Sequence, residues 1–143
     1  MVYIIIGVIA LTIVLFRINM SKKNNQLKSL GGIKEKYKEF ISHFDDYDLN
    51  NKPTILNDRA NNYEIGWAGA TTISKLWIYE MYDNLHIEFK LDYNKKNLER
   101  SGVNLGKLPP LNKKLTWKFK SNYNQAEMAW IVSQDIENLM DSM

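Results

Sequence analysis

The sequence predicts an α+β fold: an N-terminal single transmembrane helix followed by a small domain with an antiparallel sheet of 4–5 strands and two amphipathic helices. Residues 2–16 carry no charged side chain, and residues 54–93 alternate apolar and polar side chains with a period of two. Apolar residues recur at helical spacing in residues 33–44 and 125–141. Strands bracketed by helices are typical of α+β folds, and we expect both helices to pack on one face of the sheet.

The composition divides the chain into three parts. Residues 1–18 form the predicted transmembrane anchor, and residues 19–32 form a basic juxtamembrane tether or the first turns of a continuing helix. Residues 33–143 form one small α+β soluble domain, long enough for a modest hydrophobic core. Gly31 and Gly32 are expected to interrupt any helix that enters the domain.

The predicted anchor reads VYIIIGVIALTIVLF and is followed directly by Arg17. Fifteen helical residues span roughly 22 Å, and Met1, Ile18 and a snorkelling Arg17 bring the length close to the lower limit of about 17 residues for crossing a bilayer. A cleaved signal peptide is one alternative, but no basic region precedes the apolar stretch and no small-x-small cleavage site follows it. A buried core helix is the other alternative, but a helix that is apolar all round needs protein on every side.

Charge predicts the orientation of the anchor. Residues 17–38 hold seven basic side chains and one acidic side chain, whereas no charged side chain precedes the apolar stretch. The positive-inside rule therefore places the C-terminal domain in the cytoplasm. Abundant lysine and asparagine are typical of an AT-rich bacterial genome, so we expect a single-pass protein of the bacterial inner (plasma) membrane. The basic residues nearest the predicted anchor are Arg17, Lys22, Lys23 and Lys28. They are expected either to bind anionic lipid headgroups or only to keep the tether solvated.

Spacing and turn residues predict the remaining elements. Residues 33–44 are expected to form one helix. Asn124, with a glutamate three positions later, resembles a capping residue at the start of a helix over residues 125–141. Residues 115–119 alternate and predict a strand, whereas residues 94–113 have no clear period and form a loop of a length that is often functional.

A hairpin is predicted at the centre of the sheet. Asp83-Asn84 separates two apolar-rich runs and is taken as the two-residue turn, which places Tyr82 opposite Leu85. The two strands then share one apolar core face and one mixed face. The mixed face carries an apolar stripe of Trp77, Tyr79 and Met81, which is backed by the polar residues His86, Glu88 and Lys90. We expect these six residues to form an interaction surface, unless a helix covers this face of the sheet.

The residue inventory excludes several classes of chemistry. The chain has no cysteine, which excludes thiol catalysis, disulfides and cysteine-ligated metals. Neither a serine-nucleophile motif nor a phosphate-binding motif occurs in the context that it requires. His86 and Glu88 would supply two metal ligands where three or four are needed. Arginine is scarce, and we predict no nucleic-acid partner, no catalytic residue, no cofactor and no metal.

Binding rather than catalysis is the expected function. A membrane-anchored domain of this size without catalytic groups suits a toxin-neutralising immunity protein, an exclusion factor or an accessory factor of a membrane complex, with the bilayer and another protein as its partners. The alternative is a small enzyme or ligand-binding domain with a pocket under residues 94–113 that uses Glu80, His86 or Arg100 as its polar groups. Glu80 is the one charge on the predicted core face, so a salt bridge or a position at the sheet rim is expected for it. The oligomeric state is left open.

Overall fold

The computed structural model describes the backbone of residues 2–49 and 51–143, and the side chains from residue 5 onward apart from residue 50. Within these ranges it contains an N-terminal apolar helix, a five-stranded antiparallel sheet and further helices, which confirms the predicted α+β fold. The elements in chain order are α1 (Val2–Ser29), α2 (Gly32–Lys36), α3 (Lys38–Asp45), β1 (Thr54–Arg59), β2 (Asn62–Ala68), β3 (Thr72–Met81), β4 (Asn84–Tyr93), α4 (Lys95–Arg100), the 3-10 helix η1 (Leu105–Lys107), β5 (Asn112–Lys120) and α5 (Gln125–Asp141).

Helix α1 has 28 residues and is therefore roughly 42 Å long. It is long enough and apolar enough to cross a membrane. The domain does not cover the side chains of residues 5–18, so the buried-core-helix alternative is wrong for this part of α1. The helix continues through the predicted tether to Ser29, and Leu27 lies in the hydrophobic core with 7% of its surface exposed. The second half of α1 is therefore packed onto the domain.

A break at Gly31 and Gly32 ends α1, as predicted: Leu30 and Gly31 separate the two helices, and Gly32 is the first residue of α2. Gly31 and Gly32 have φ angles of 85° and 86°, a backbone region that favours glycine. A Cβ atom on Gly32 would lie 3.0 Å from the Cα atom of Ala60, and the backbone N–H of Ile33 donates to the Ala60 carbonyl at 2.9 Å. The turn between β1 and β2 therefore packs against the start of α2, and this close approach requires glycine.

The helix predicted over residues 33–44 is in fact two helices, α2 and α3, which meet at Tyr37. The backbone of Tyr37 has φ −114° and ψ 35°, which is not helical. The side chain of Gln125 bonds backbone groups on both sides of this break: its Nε2 donates to the Lys36 carbonyl at 2.9 Å, and its Oε1 accepts from the N–H of Phe40 at 3.2 Å. The start of α5 therefore stabilises the junction between α2 and α3.

Helix α5 spans the predicted residues, and its predicted cap is confirmed. The Asn124 side chain accepts a hydrogen bond from the backbone N–H of Glu127 at 2.9 Å. The predicted loop over residues 94–113 contains the short elements α4 and η1, each of which begins after an asparagine whose side chain caps it. The loop is therefore ordered by local hydrogen bonds.

The sheet is a meander in which each strand pairs antiparallel with the next along the chain. Helices α2, α3 and α5 contribute to one hydrophobic core on one face of the sheet, as predicted. Buried core side chains come from these helices, from the junction at Tyr37 and from β2, β3 and β4, and they include Tyr37, Phe40, Ile41, Phe44, Tyr63, Ile65, Leu76, Ile78, Leu85, Ile87, Phe89, Met128, Val132 and Ile136. Within the described residues, no helix packs on the opposite face of the sheet.

The hairpin between β3 and β4 turns one residue earlier than predicted. Tyr82 and Asp83 occupy the turn, with φ angles of 51° and 59°, and Met81 pairs with Asn84. The predicted pairing of Tyr82 with Leu85 is therefore wrong, and the partner of each β3 residue moves by two positions. Because side chains alternate between the faces of a sheet, a shift of two positions keeps them on their predicted faces, and only Tyr82 leaves the core face for the turn.

Both residues of this turn, Tyr82 and Asp83, contact α1. Positive φ angles at both central positions are typical of a type I′ turn, which favours asparagine and glycine and disfavours tyrosine. The Tyr82 ring lies against the ring of Phe16, with 6.0 Å between their centroids. The Asp83 carboxylate accepts a hydrogen bond from Lys23 Nζ at 2.8 Å. These long-range contacts to α1 are not visible in the local turn pattern, which explains why the sequence pattern predicted a different turn.

Candidate functional site

The sheet face that no described helix covers, called the open face below, carries the predicted interaction surface. In antiparallel strands, paired residues lie side by side on the same face. The register pairs Trp77 with Glu88 and Tyr79 with His86. The face includes all six residues of the predicted surface, which are Trp77, Tyr79, Met81, His86, Glu88 and Lys90. The alternative that a helix covers this stripe does not hold for the part of the chain that the structure describes.

Three side chains form a continuous aromatic row across β3 and β4. The rings of Trp77 and Tyr79 have centroids 4.4 Å apart, and the Tyr79 ring stacks on His86 at 5.1 Å with only 10° between the planes. Trp77 lies at the exposed end of the row, with 38% of its surface accessible to solvent. The row is therefore preorganised, and Trp77 offers the free aromatic surface.

Glu88 lies beside the aromatic row and is held by two lysines. Lys90 Nζ and Lys114 Nζ approach the Glu88 carboxylate to 2.8 Å and 2.7 Å, and only 12% of the Glu88 side chain is exposed. Burial acts to raise the pKa of Glu88, but the hydrogen bonds from Lys114 and Lys90 outweigh burial, so the pKa lies below its ordinary value. Glu88 is therefore ionised at neutral pH and is a structural ion-pair centre rather than a candidate proton donor.

A second carboxylate lies on the other side of Trp77. Glu64 pairs with Trp77 across β2 and β3, and its carboxylate is 3.6 Å from Lys75 Nζ. Trp77 thus has an acidic neighbour on each adjacent strand, and each of these neighbours contacts at least one lysine. The group surrounds a depression of about 330 Å³ lined by Glu64, Lys75, Trp77, Glu88 and Lys90. The depression therefore has a charged rim and one aromatic wall.

The open face is basic, although the rest of the domain is not. The register places six basic residues on it (Arg59, Lys75, Lys90, Lys114, Lys118 and Lys120) and three acidic residues (Glu64, Glu88 and Asp92). Among the described residues, no carboxylate lies within salt-bridge distance of Arg59, Lys118 or Lys120. Residues 39–143 hold 12 basic and 15 acidic side chains in total. The excess of positive charge is therefore a property of this face.

Glu80 is in a salt bridge, as predicted. Its Oε2 atom accepts hydrogen bonds from Lys36 Nζ and from the Tyr37 hydroxyl, both at 2.7 Å. Burial, and then the hydrogen bond to Glu80, raise the pKa of Tyr37 well above its ordinary value. Glu80 thus joins β3 to α2 and to the junction that follows α2, and it has a structural partner for its charge.

Glu80 and Arg100, which were both assigned to the alternative pocket, are far apart. Glu80 lies beside the hairpin turn that opens β4, whereas Arg100 lies in α4, after the opposite end of β4. Ten strand residues separate these ends by roughly 30 Å. A cleft of about 280 Å³ does lie under the loop, and neither Glu80 nor Arg100 lines it. No group of three or more histidine or acidic residues in the described chain is arranged to hold a metal.

The predicted membrane-proximal lysines and arginine lie on α1, but they differ in their surroundings. Arg17 and Lys22 are exposed on the helix surface. Lys23 contacts Asp83 at the hairpin tip, and Lys28 lines a depression beside Arg59. Of these four residues, Lys23 is therefore the one that forms an ion pair with the domain.

The predicted interaction surface did not include the β5 lysines. Lys114 and Lys118 lie on the open face because β5 pairs with β4 rather than elsewhere in the sheet. The alternation of residues 115–119 already placed Lys118 on the face opposite Trp117 and Phe119, but it did not show which strand lies beside β5. The strand order of the structure shows that β5 lies beside β4, so its lysines lie next to the predicted surface.

Comparisons with known proteins give no family for this arrangement. No family model matches the chain, and no curated protein and no solved structure gives a significant match. The function is therefore inferred from the geometry and charge of the open face and from the length and composition of α1.

Proposed function

We propose that this protein is a membrane-anchored, non-enzymatic interaction domain that faces the cytoplasm and binds an acidic segment of another protein through its open face. The observation that supports this most directly is the uncovered aromatic row, which lies beside Lys118 and Lys120, two lysines with no carboxylate partner among the described residues. Large aromatic side chains with a charged rim are typical of protein interfaces.

Charge complementarity favours an acidic partner. Arg59, Lys118 and Lys120 lie on the open face without an ion-pair partner among the described residues. A segment that carries aspartate or glutamate together with one apolar side chain would pair with these cations and cover Trp77. Complementary charge increases the association rate and rejects basic competitors.

The stacking of the aromatic row favours a protein over a nucleic acid. Single-stranded nucleic acids bind by stacking bases on free aromatic faces. In the aromatic row, Tyr79 and His86 stack on each other, and Trp77 packs against Tyr79. The acidic residues Glu64 and Glu88 would also repel a phosphate beside Trp77. A peptide avoids this repulsion because it can place an apolar side chain over Trp77 and its carboxylates at the unpaired cations.

The anchor gives this binding a location. Helix α1 is long and apolar enough to cross a membrane, and the basic residues after the apolar stretch favour a cytoplasmic domain in a bacterial inner membrane. Confinement to one membrane raises the effective concentration of the domain near other membrane proteins. An immunity protein, an exclusion factor or an accessory factor of a membrane complex would work in this way.

Site-specific photo-cross-linking tests the proposal. In the full-length protein in native membranes, p-azidophenylalanine would replace Trp77 in one variant and Trp130 in another. Trp130 is a matched control because it is 63% exposed on α5, which packs on the other face of the sheet. We expect position 77, but not position 130, to cross-link to a membrane protein at a peptide rich in aspartate and glutamate. Adding Lys118→Glu and Lys120→Glu should lower that yield several-fold.

Three outcomes would contradict the proposed function. The first is the same cross-linked products from both positions, which would mean that the open face has no selectivity. The second is cross-linking from position 77 only to a second copy of the chain or to nucleic acid. The third is a cross-linking yield that does not change when Lys118 and Lys120 are replaced by glutamate, which would show that the partner does not bind through acidic residues.

A further inference from the structure

The tip of the β3–β4 hairpin lies where the apolar part of α1 ends. Tyr82 contacts Phe16, the last residue of the uncharged stretch, and Asp83 contacts Lys23. Seven residues of helix between these two contacts correspond to roughly 10 Å along α1. The polar layer of a bilayer is about 5–8 Å thick on each side of the hydrocarbon. If α1 spans the membrane, the hairpin tip is therefore at the depth of the headgroups.

The side chains at the tip suit that depth. Tyr82 has 53% of its surface exposed although it adopts a left-handed backbone conformation that disfavours tyrosine. Met81 beside it is also exposed. Tyrosine is enriched where membranes meet water, because its ring is apolar and its hydroxyl stays hydrated.

The charges around the tip are also compatible with an anionic surface. Asp83 is the acidic residue in the turn, and Lys23 bonds it directly. That hydrogen bond, together with the charges of Lys36 and Lys120, lowers the pKa of Asp83. The single negative charge of the turn is thus balanced by the lysines around it, and Lys22 is exposed nearby on α1. Lysines close to a membrane surface favour anionic lipids.

We propose that the hairpin tip, formed by Met81 and Tyr82, is a second membrane contact that inserts into the headgroup layer of the bilayer that α1 spans. This inference rests on the proposed membrane anchor. With two points of contact, the domain cannot rotate freely about α1, so the open face is held at a fixed height and direction beside the membrane. A partner segment in the same membrane then meets a preoriented surface.

The cysteine-free chain allows a direct test with single nitroxide labels. Full-length Tyr82→Cys and Met81→Cys would be labelled and reconstituted in vesicles of phosphatidylethanolamine and phosphatidylglycerol. Collisions with oxygen, which enters lipid, and with a nickel chelate, which stays in water, report the depth of the label. Thr12→Cys marks the anchor. Asn61→Cys is the matched control, since it lies in the β1–β2 turn beside Asn24 and Lys28, further along α1.

The expected result is that labels at positions 81 and 82 collide with the nickel chelate several-fold less than the label at Asn61, although more than the label at Thr12. If Thr12 is in lipid and positions 81 and 82 match Asn61, the inference is overturned while the anchor stands. If Thr12 itself is in water, the anchor fails and the inference fails with it. Circular dichroism would check folding, and Met81→Cys decides the result if the strained turn does not tolerate Tyr82→Cys.

Discussion

The phenol ring of Tyr82 packs against the ring of Phe16, with 6.0 Å between the two centroids. This contact joins the hairpin at the centre of the sheet to the end of the apolar stretch of α1. The ion pair of Lys23 with Asp83 and the burial of Leu27 extend the same attachment along α1. The segment between the apolar stretch and the domain is therefore a packed helix, and it fixes the position of the sheet relative to the apolar stretch of α1.

Leu27→Ala should lower the free energy of unfolding of the full-length protein in mild detergent by about 2–4 kcal/mol, because it removes a buried leucine side chain from the core. Leu30→Ala is the matched control, since Leu30 is 60% exposed and its loss should change stability by less than about 0.5 kcal/mol. Urea unfolding followed by tryptophan fluorescence measures both values. Equal effects of the two substitutions would mean that the second half of α1 is not packed on the domain.

Gln125→Ala should destabilise the protein by about 1–3 kcal/mol. The substitution leaves the Lys36 carbonyl and the Phe40 N–H without their partner at the junction of α2 and α3. Gln134→Ala removes a glutamine from the same helix, where the exposed side chain contacts only Glu137, and it should have almost no effect. Thermal unfolding of the two variants gives the comparison, and similar midpoints would argue against a bridging role for Gln125.

The double substitution Trp77→Ala with Tyr79→Ala should leave the domain folded, with a loss of about 0.5–1.5 kcal/mol from the aromatic pair in addition to the apolar area that the half-buried Tyr79 ring covers. Trp67→Ala should lower the free energy of unfolding by about 3–5 kcal/mol, because Trp67 is buried and its Nε1 donates to the Tyr47 carbonyl. Far-ultraviolet circular dichroism and urea unfolding distinguish the two cases. An unfolded double variant would show that the stripe is core, and the proposed function would lose its main support.

Glu88→Gln should make the stability of the protein less sensitive to acid. Burial acts to raise the pKa of Glu88, but the hydrogen bonds from Lys114 and Lys90 lower it below the unfolded-state value of about 4.3. The stabilisation by the ionised carboxylate is therefore present above that pH and is lost as the pH falls through the lower folded-state pKa. The wild type should consequently lose more stability than Glu88→Gln between neutral pH and a pH of about 3.

Unfolding curves recorded across this pH range test the effect of Glu88. Glu99→Gln controls for the loss of one negative charge, because Glu99 is exposed on α4 and takes part in no salt bridge among the described residues. The control should follow the wild-type dependence on pH. If the free energy of unfolding of Glu88→Gln and of the wild type changed in parallel with pH, the ion pairs of Glu88 would not stabilise the open face.

Local patterns were sufficient to predict much of the fold. The spacing of apolar residues correctly predicted the length of α5. Asn124 correctly predicted where α5 begins, because helix capping depends on residues only a few positions apart. Period-two alternation assigned the β3 and β4 side chains to their faces, since that assignment survives a register shift of two. The pair Gly31-Gly32 marked the end of α1 for the same local reason.

Contacts between distant parts of the chain could not be predicted in this way. The turn at Tyr82 depends on Phe16 and Lys23, which lie more than fifty residues earlier in the sequence. The break at Tyr37 depends on Gln125, which comes from the opposite end of the domain. The basic character of the open face likewise required the strand order, because it brings β5 beside β4.

Labelling of a single cysteine from each side of the membrane tests the central claim most directly. Val103→Cys places the cysteine on the exposed loop after α4, away from the anchor and the hairpin tip. A membrane-impermeant maleimide should label this cysteine in inverted membrane vesicles and not in intact spheroplasts, with the full-length protein in the membrane fraction. Labelling in intact spheroplasts, or recovery of the protein in the soluble fraction, would contradict a cytoplasmic domain held at the membrane by α1.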